Sequence, residues 1–112
     1  MTGVTAFFIT REIDTGALLL QRSAPIGPSD TAGTVYDRLM VEGAGLLCDT
    51  LDALSTGHVK SIGQDLLWTG KEREAPKLFR QDGRIDWRRS CQEVHDFIRG
   101  MSPFPGAWTT LN

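Results

Sequence analysis

The stretch "REIDTGALLL", Arg11 to Leu20, sets an acid, Asp14, in an Asp-Thr-Gly turn between apolar runs. A carboxylate there has three readings. It can be the polar residue of a plain hairpin turn, with Gly16 free to take a positive φ. It can be half of the proton-sharing carboxylate pair of a small dimeric aspartic protease. It can also be one part of a larger active site. The protease reading fits poorly: it needs an all-β domain, yet a helical period follows the motif. The residues before the acid are Arg11, Glu12 and Ile13 rather than a buried hydrophobic strand. The later pair Ile62-Gly63 follows Lys60 and Ser61 and makes no convincing second half. On local signals the turn and the larger site both stay open.

Other chemistries have less support. The only histidines, His58 and His95, have no second ligand at i+3 or i+4, so no metal site is expected. "GAG" at Gly43 to Gly45 lacks the G-x-G-x-x-G pattern and follows no strand, which points to close helix packing instead of a phosphate loop. Cys48 and Cys91 read as reduced, buried thiols. A formal net charge of -2 gives no broad electrostatic footprint for nucleic acid, which argues against a stand-alone nucleic-acid binder. No apolar run approaches the roughly 18–20 residues of a membrane span, and the N-terminus has no secretory pattern. The chain of 112 residues is near the usual size of a single domain and reads as cytosolic.

The elements that must position Asp14 follow from period and punctuation. Thr2 to Thr10 is β-branched and aromatic, apolar on both faces, and predicts a strand that wants cover on both sides. Ala17 to Ile26 predicts its antiparallel partner. Val35, Leu39, Leu46, Leu47, Leu51 and Leu54 then fall at helical spacing, with Asp30 or Thr31 as N-cap and Gly57 as the stop. Gly43 and Gly45 inside this helix predict a kink or the close approach of another backbone. "SIGQDLLWTG" can hold a short strand, and "APKLF" an extended segment, because Pro76 biases Ala75 away from helix. Ser90 and Glu93 have capping-box spacing, Val94, Phe97, Ile98 and Met101 share a face, and Gly100 closes the second helix.

The whole pattern, "TGVT", "IDTGALLLQ", "SDTAGTVYDRL", "GAGLLCDTL", "APKLFRQDGRIDW" and "VHDFIRGMSPFPGAWT" in this order, resembles the methionyl-tRNA formyltransferases over essentially the entire chain. "TGVT…DTG" is shared more widely among 10-formyltetrahydrofolate-dependent formyltransferases. "RIDW…IRG…PFPGAW" is narrower. The resemblance implies part of a Rossmann-like formyltransferase domain, seen here as a hairpin or short sheet with two main helices. It implies that residues 1–89 form the second half of the catalytic domain, and 90–112 a helix and linker toward a C-terminal domain. It implies 10-formyltetrahydrofolate as co-substrate, no metal, methionyl initiator tRNA as partner, and a cytoplasmic role in translation initiation.

The resemblance also implies roles for particular residues. Asp14 matches the family's catalytic aspartate. Thr10, Arg11, Glu12 and Ile13 match the loop that lines the folate's pteridine pocket, largely through backbone groups; Arg11 is a mild departure. In the family's reaction an amine attacks the formyl carbon, and an Asn and a His stabilise the oxyanion that develops. The aspartate keeps the histidine in its useful protonation state and helps order a proton-relay water. That Asn and His are expected upstream of "TGVT". Trp87 and Trp108 read as packing residues; Lys77 and Arg84 read as solvated charges, with RNA contact as the alternative. Two other functions remain: a different folate-dependent N-formyltransferase, acting on a sugar nucleotide or on water, and a non-catalytic interaction module.

On this reading the 112 residues by themselves transfer no formyl group, and the two-faced strand leaves apolar surface and a strand edge uncovered. The chain is therefore expected to self-associate. Sedimentation at micromolar concentration should show dimers or larger species; a monodisperse monomer would contradict the expectation.

Overall fold

The computed structural model describes residues 1–12, 15–66 and 75–111. Its elements run β1 (Thr2–Phe7), β2 (Leu18–Ala24), α1 (Ala32–Ser55), two short 3-10 turns (Gln64–Leu66 and Arg80–Gly83) and α2 (Cys91–Gly100). The α/β class, the hairpin and the two main helices are as the sequence predicts. Two compact units share the chain: Met1–Pro25 with Arg38–Glu74, and Ile26–Asp37 with Ala75–Asn112.

In the first unit β1 and β2 pair antiparallel, from Thr2 opposite Ala24 to Ala6 opposite Leu20; the register then shifts, and Phe7 faces Leu18. The predicted strand to Thr10 is too long. Past the irregularity the Phe8 amide still donates to the Ala17 carbonyl, at 3.0 Å, and the chain then leaves the ladder. β2 stops at Ala24, short of Ile26, because Pro25 has no N–H to continue the pairing. From "SIGQDLLWTG" one residue joins as a bridge: Ile62 and Leu18 exchange backbone hydrogen bonds of 2.8 and 2.9 Å. The Gln64–Leu66 turn follows, and residues 67–70 lie outside the described part.

The helix α1 packs on this hairpin at its glycines. Its hydrogen-bonded turns run unbroken through Gly43 and Gly45, and what comes near these glycines is side chain rather than the expected backbone. A Cβ on Gly43 would lie 3.7 Å from Val4 Cγ1, and one on Gly45 would lie 3.2 Å from the Arg22 guanidinium. That guanidinium reaches from β2 to Glu42, at 3.1 Å, and to Asp49, at 2.5 Å. These two carboxylates raise its pKa above the ordinary arginine value. Leu46 and Thr50 are buried on the same face, with the Thr50 hydroxyl donating back to the Leu46 carbonyl at 2.6 Å.

The stop at Gly57 holds. Its φ of +70° lets the Gly57 amide reach the Leu54 carbonyl and the His58 amide reach that of Ala53, the paired bonds of a Schellman motif. The apolar stripe of α1 is wider than the hairpin covers. Leu47 and Leu51 remain more than half exposed. With Phe8, Ile9, Leu19 and Leu54 they wall an open groove of about 540 Å³.

In the second unit Thr31 is the N-cap of α1. Its hydroxyl accepts from the Thr34 amide, and the Thr34 hydroxyl accepts from the Thr31 amide. Asp30, the other candidate, closes the preceding turn by accepting from the Gly27 amide at 2.7 Å. Helix α2 starts on the predicted capping box: Ser90 Oγ accepts from the Glu93 amide, and Glu93 Oε2 accepts from the Ser90 amide. The bonds from Ser90 hold the Glu93 carboxyl below its ordinary pKa.

Arg99 ties α2 to the Gly27–Asp30 turn, donating to both carbonyls while its Nε donates to Asp96. Met101 is buried, Val94 and Phe97 half-buried, and Ile98 exposed, so the predicted apolar face is covered only in part. The "RIDW" segment pairs with the exit strap. Ile85 donates to the Trp108 carbonyl, Trp108 donates to that of Gly83, and Arg84 and Trp108 form a parallel bridge. Arg88 grips Asp86 through its guanidinium and its amide, lowering that carboxyl to about 2.

Candidate functional site in the hairpin loop

By sequence position, the loop between Phe8 and Leu18 carries Asp14 and the proposed pocket residues Thr10, Arg11, Glu12 and Ile13. Its C-terminal end is held closest. A Cβ built on Gly16 would fall 1.4 Å from the Phe8 carbonyl oxygen and 2.5 Å from its carbon. Only a glycine lets the two strands' backbones meet there. This corrects the expectation of a positive φ: Gly57 and Gly106 take one, and Gly16 does not. Gly16 serves by having no side chain.

Two further sets of contacts fix the loop. The Thr10 and Thr15 hydroxyls lie 2.8 Å apart and 2.9 and 3.2 Å from the Glu12 carbonyl, so that one donates to the carbonyl and the other to its neighbour's oxygen. They draw its two limbs together. From the far side of the Ile62 bridge, Gln64 Nε2 donates to the Gly16 carbonyl at 2.8 Å. Sequence reading named neither Thr15 nor Gln64. Thr15 could have been found as the middle of Asp-Thr-Gly, but Gln64 is a lone amide in an irregular segment with no pattern to mark it.

Of the predicted site residues, Thr10, Arg11 and Glu12 are described and exposed, beyond the last bond of the hairpin. Ile13 and Asp14 lie outside the described residues. The Thr10 and Thr15 hydroxyls both turn toward the Glu12 carbonyl, inside the loop.

The remaining candidates lie elsewhere. His58 is exposed past the helix stop, and His95 is an exposed residue of α2 with Nδ1 3.5 Å from Asp96. Among the described residues no three His, Cys, Asp or Glu side chains gather as a metal set. Cys48 and Cys91 are free, but both are exposed, not buried as expected. Cys48 adjoins Leu47 on the uncovered part of α1, and Cys91 is the first residue of α2. The Trp108 indole donates to the Arg80 carbonyl and the Trp87 indole to Thr109 Oγ1, each anchoring the exit strap. Lys77 lies over the Phe79 ring and Arg84 over that of Trp108. No described helix is long and apolar enough to cross a membrane.

Two family models that between them match most of the chain show that it belongs to the formyl transferase family. The formyl transferase family model matches residues 1–51, and the model described as formyl transferase, C-terminal domain, matches residues 77–112. Methionyl-tRNA formyltransferase of Azobacteroides pseudotrichonymphae is 49% identical over 112 residues, covering 98% of this chain and 35% of that protein. That of Bacteroides thetaiotaomicron is 45% identical over 111 residues, covering 98% of this chain and 34% of the relative. The chain thus spans about a third of the length of the curated relatives it matches.

Among solved structures, a Mycobacterium tuberculosis protein of suggested sugar N-formyltransferase activity superposes with a TM-score of 0.75 at 27% identity, over 96% of this chain and 47% of that one. A 4-N formyltransferase from Francisella tularensis gives 0.73 at 17%, over 94% and 44%, and supports the fold alone.

The close approach at Gly16 makes a graded prediction. Gly16→Ala should destabilise the protein by about 2–3 kcal/mol in urea unfolding, since backbone must move to admit the methyl. Gly63→Ala, whose Cβ would meet nothing within 4 Å, should cost under about 0.5 kcal/mol. Equal midpoints for the two variants would contradict the described packing.

Proposed function

We propose that this chain supplies part of the active site of a methionyl-tRNA formyltransferase, which moves a formyl group from 10-formyltetrahydrofolate to the amino group of methionyl initiator tRNA in cytoplasmic translation initiation. Two observations support the reading: identities of 44–49% to proteins of that name along nearly the whole chain, and the Asp-Thr-Gly motif on a gripped hairpin loop. Residues 1–89 belong to the catalytic half on this proposal, and 90–112 lead toward the C-terminal domain.

The folate donor presents an activated formyl carbon; the attacking amine must shed a proton as it adds. Asp14 is the carboxylate for that exchange. Its negative charge keeps a neighbouring imidazole in the protonation state the reaction needs and orders the water that relays the proton. The backbone rim of Thr10, Arg11, Glu12 and Ile13 orients the pterin, which fixes the formyl carbon relative to the acid. The uncovered groove walled by Leu47, Leu51 and Phe8 supports self-association of the 112-residue chain.

A second reading, formyl transfer to a sugar amine, is favoured by the Mycobacterium tuberculosis neighbour. The two separate by acceptor: methionyl-tRNA or an amino-sugar nucleotide.

In the whole protein carrying this segment, Asp14→Asn should lower kcat for methionyl-tRNA formylation by about 10²–10⁴-fold, with folding unchanged by circular dichroism. Undiminished turnover by this variant would remove Asp14 from the reaction, and wild-type turnover of the sugar acceptor alone would replace the first reading with the second.

A further inference from the structure

We propose that the cavity lined by Arg84 and Arg89 in the second unit seats a backbone phosphate of the RNA acceptor, with the two guanidiniums as its contacts. The inference rests on the proposed function and deepens it, by naming residues of this chain that hold the tRNA.

Residues 77–89 hold five of the chain's 12 Lys and Arg and two of its 14 Asp and Glu, so this stretch carries +3 in a chain of net charge -2. A local surplus of cations on an otherwise acidic chain marks a place for an anion, not a general attraction. Within the stretch opens a cavity of about 160 Å³, with Ile85 and Phe97 among its apolar lining. Four charged side chains also line it: Arg84, Arg89, Asp82 and Asp86.

The two acids are engaged. Asp86 accepts from the Arg88 guanidinium at 2.8 and 2.9 Å, and Asp82 accepts from the Phe79 amide at 2.7 Å. The two arginines are not: among the described residues neither guanidinium forms an ion pair or a hydrogen bond. Asp86 and Glu93 feel Arg89 only through its charge.

Both arginines are nonetheless placed. The Arg84 backbone bridges to Trp108, and its guanidinium lies 6.0 Å from the centre of that ring. Arg89 is set by a turn in which its amide donates to the Asp86 carbonyl at 3.3 Å. Two guanidinium forks on one small cavity suit the oxygens of a phosphate, which such forks grip bidentately. A water takes about 30 Å³ of the liquid, so the cavity has room for one phosphate and its waters. Lys77 and Arg80 continue the charge outside the cavity, which a lone small anion does not require and a polyanion uses.

The test is binding of methionyl initiator tRNA by the whole protein carrying these residues, followed by fluorescence anisotropy across a salt series. The double variant Arg84→Gln/Arg89→Gln should raise Kd about tenfold at about 0.15 M salt and lower the slope of log K against log salt by about 2. KM for 10-formyltetrahydrofolate should stay within about twofold. Arg84→Lys/Arg89→Lys keeps both charges and should restore the slope, because an ammonium still neutralises a phosphate. Lys60→Gln, a charge removed from the first unit, should leave the slope unchanged.

A Gln double variant with wild-type Kd and slope overturns the inference and leaves the proposed function standing. So does a Lys double variant as defective as the Gln one, which would make the arginines packing residues, or a slope lowered equally by Lys60→Gln. A wild-type protein that formylates an amino-sugar nucleotide and not methionyl-tRNA overturns the proposed function, and this inference with it.

Discussion

The contact on which the site depends is the one between Gly16 and the Phe8 carbonyl. Two backbones meet there closer than any side chain allows, and the Phe8-to-Ala17 hydrogen bond closes the hairpin beside them. Nothing in this arrangement is catalytic by itself. Its effect is to fix both ends of a loop that would otherwise cost conformational entropy to hold. The threonine pair, the Ile62 bridge and the Gln64 amide all converge on the same few residues. A carboxylate meant to meet a reacting amine needs such a support, because hydrogen-bond catalysis depends on reach within a few tenths of an ångström.

The rest of the first unit serves the hairpin. Arg22 spans Glu42 and Asp49 across Gly45 and so clamps β2 to α1, while Leu46 and Thr50 fill the space beneath. The groove left open beside them shows the limit of what two strands can cover. A two-stranded ribbon is marginal unless something packs on it. Here α1 does so on a single line of residues, leaving Leu47 and Leu51 exposed. The second unit is built differently, around caps and backbone pairing: Thr31 with Thr34, Ser90 with Glu93, and Gly83 and Ile85 with Trp108.

Much of this was legible in the residues, for identifiable reasons. Ser90 with Glu93 and the stop at Gly57 are local devices whose geometry follows from a few neighbouring residues, and both form where the spacing put them. The hairpin was legible because β-branched and aromatic runs flank turn residues. Its ends were not, because the register shift at Ala6 and Phe7 is a tertiary event with no sequence mark. Gly16 was noticed for the wrong physical property: a motif says that a glycine is needed, but not whether for φ or for space. Gln64 was missed because its partner is 48 residues away and a single amide has no period. Cys48 was expected inside on a helix assumed to be covered, and cover is a property of neighbours the residue itself does not report.

Amide hydrogen exchange at Phe8, Leu18 and Ile62 tests the central claim most directly: the Phe8 N–H closes the hairpin at the base of the Asp14 loop, and those of Leu18 and Ile62 tie its second strand to the following segment. The account has all three exchanging as slowly as the interior pairs of the β1–β2 ladder. Exchange at the rate of an open, solvated loop would mean that the ends of the Asp14 loop are free, and the structural argument for its role would fail.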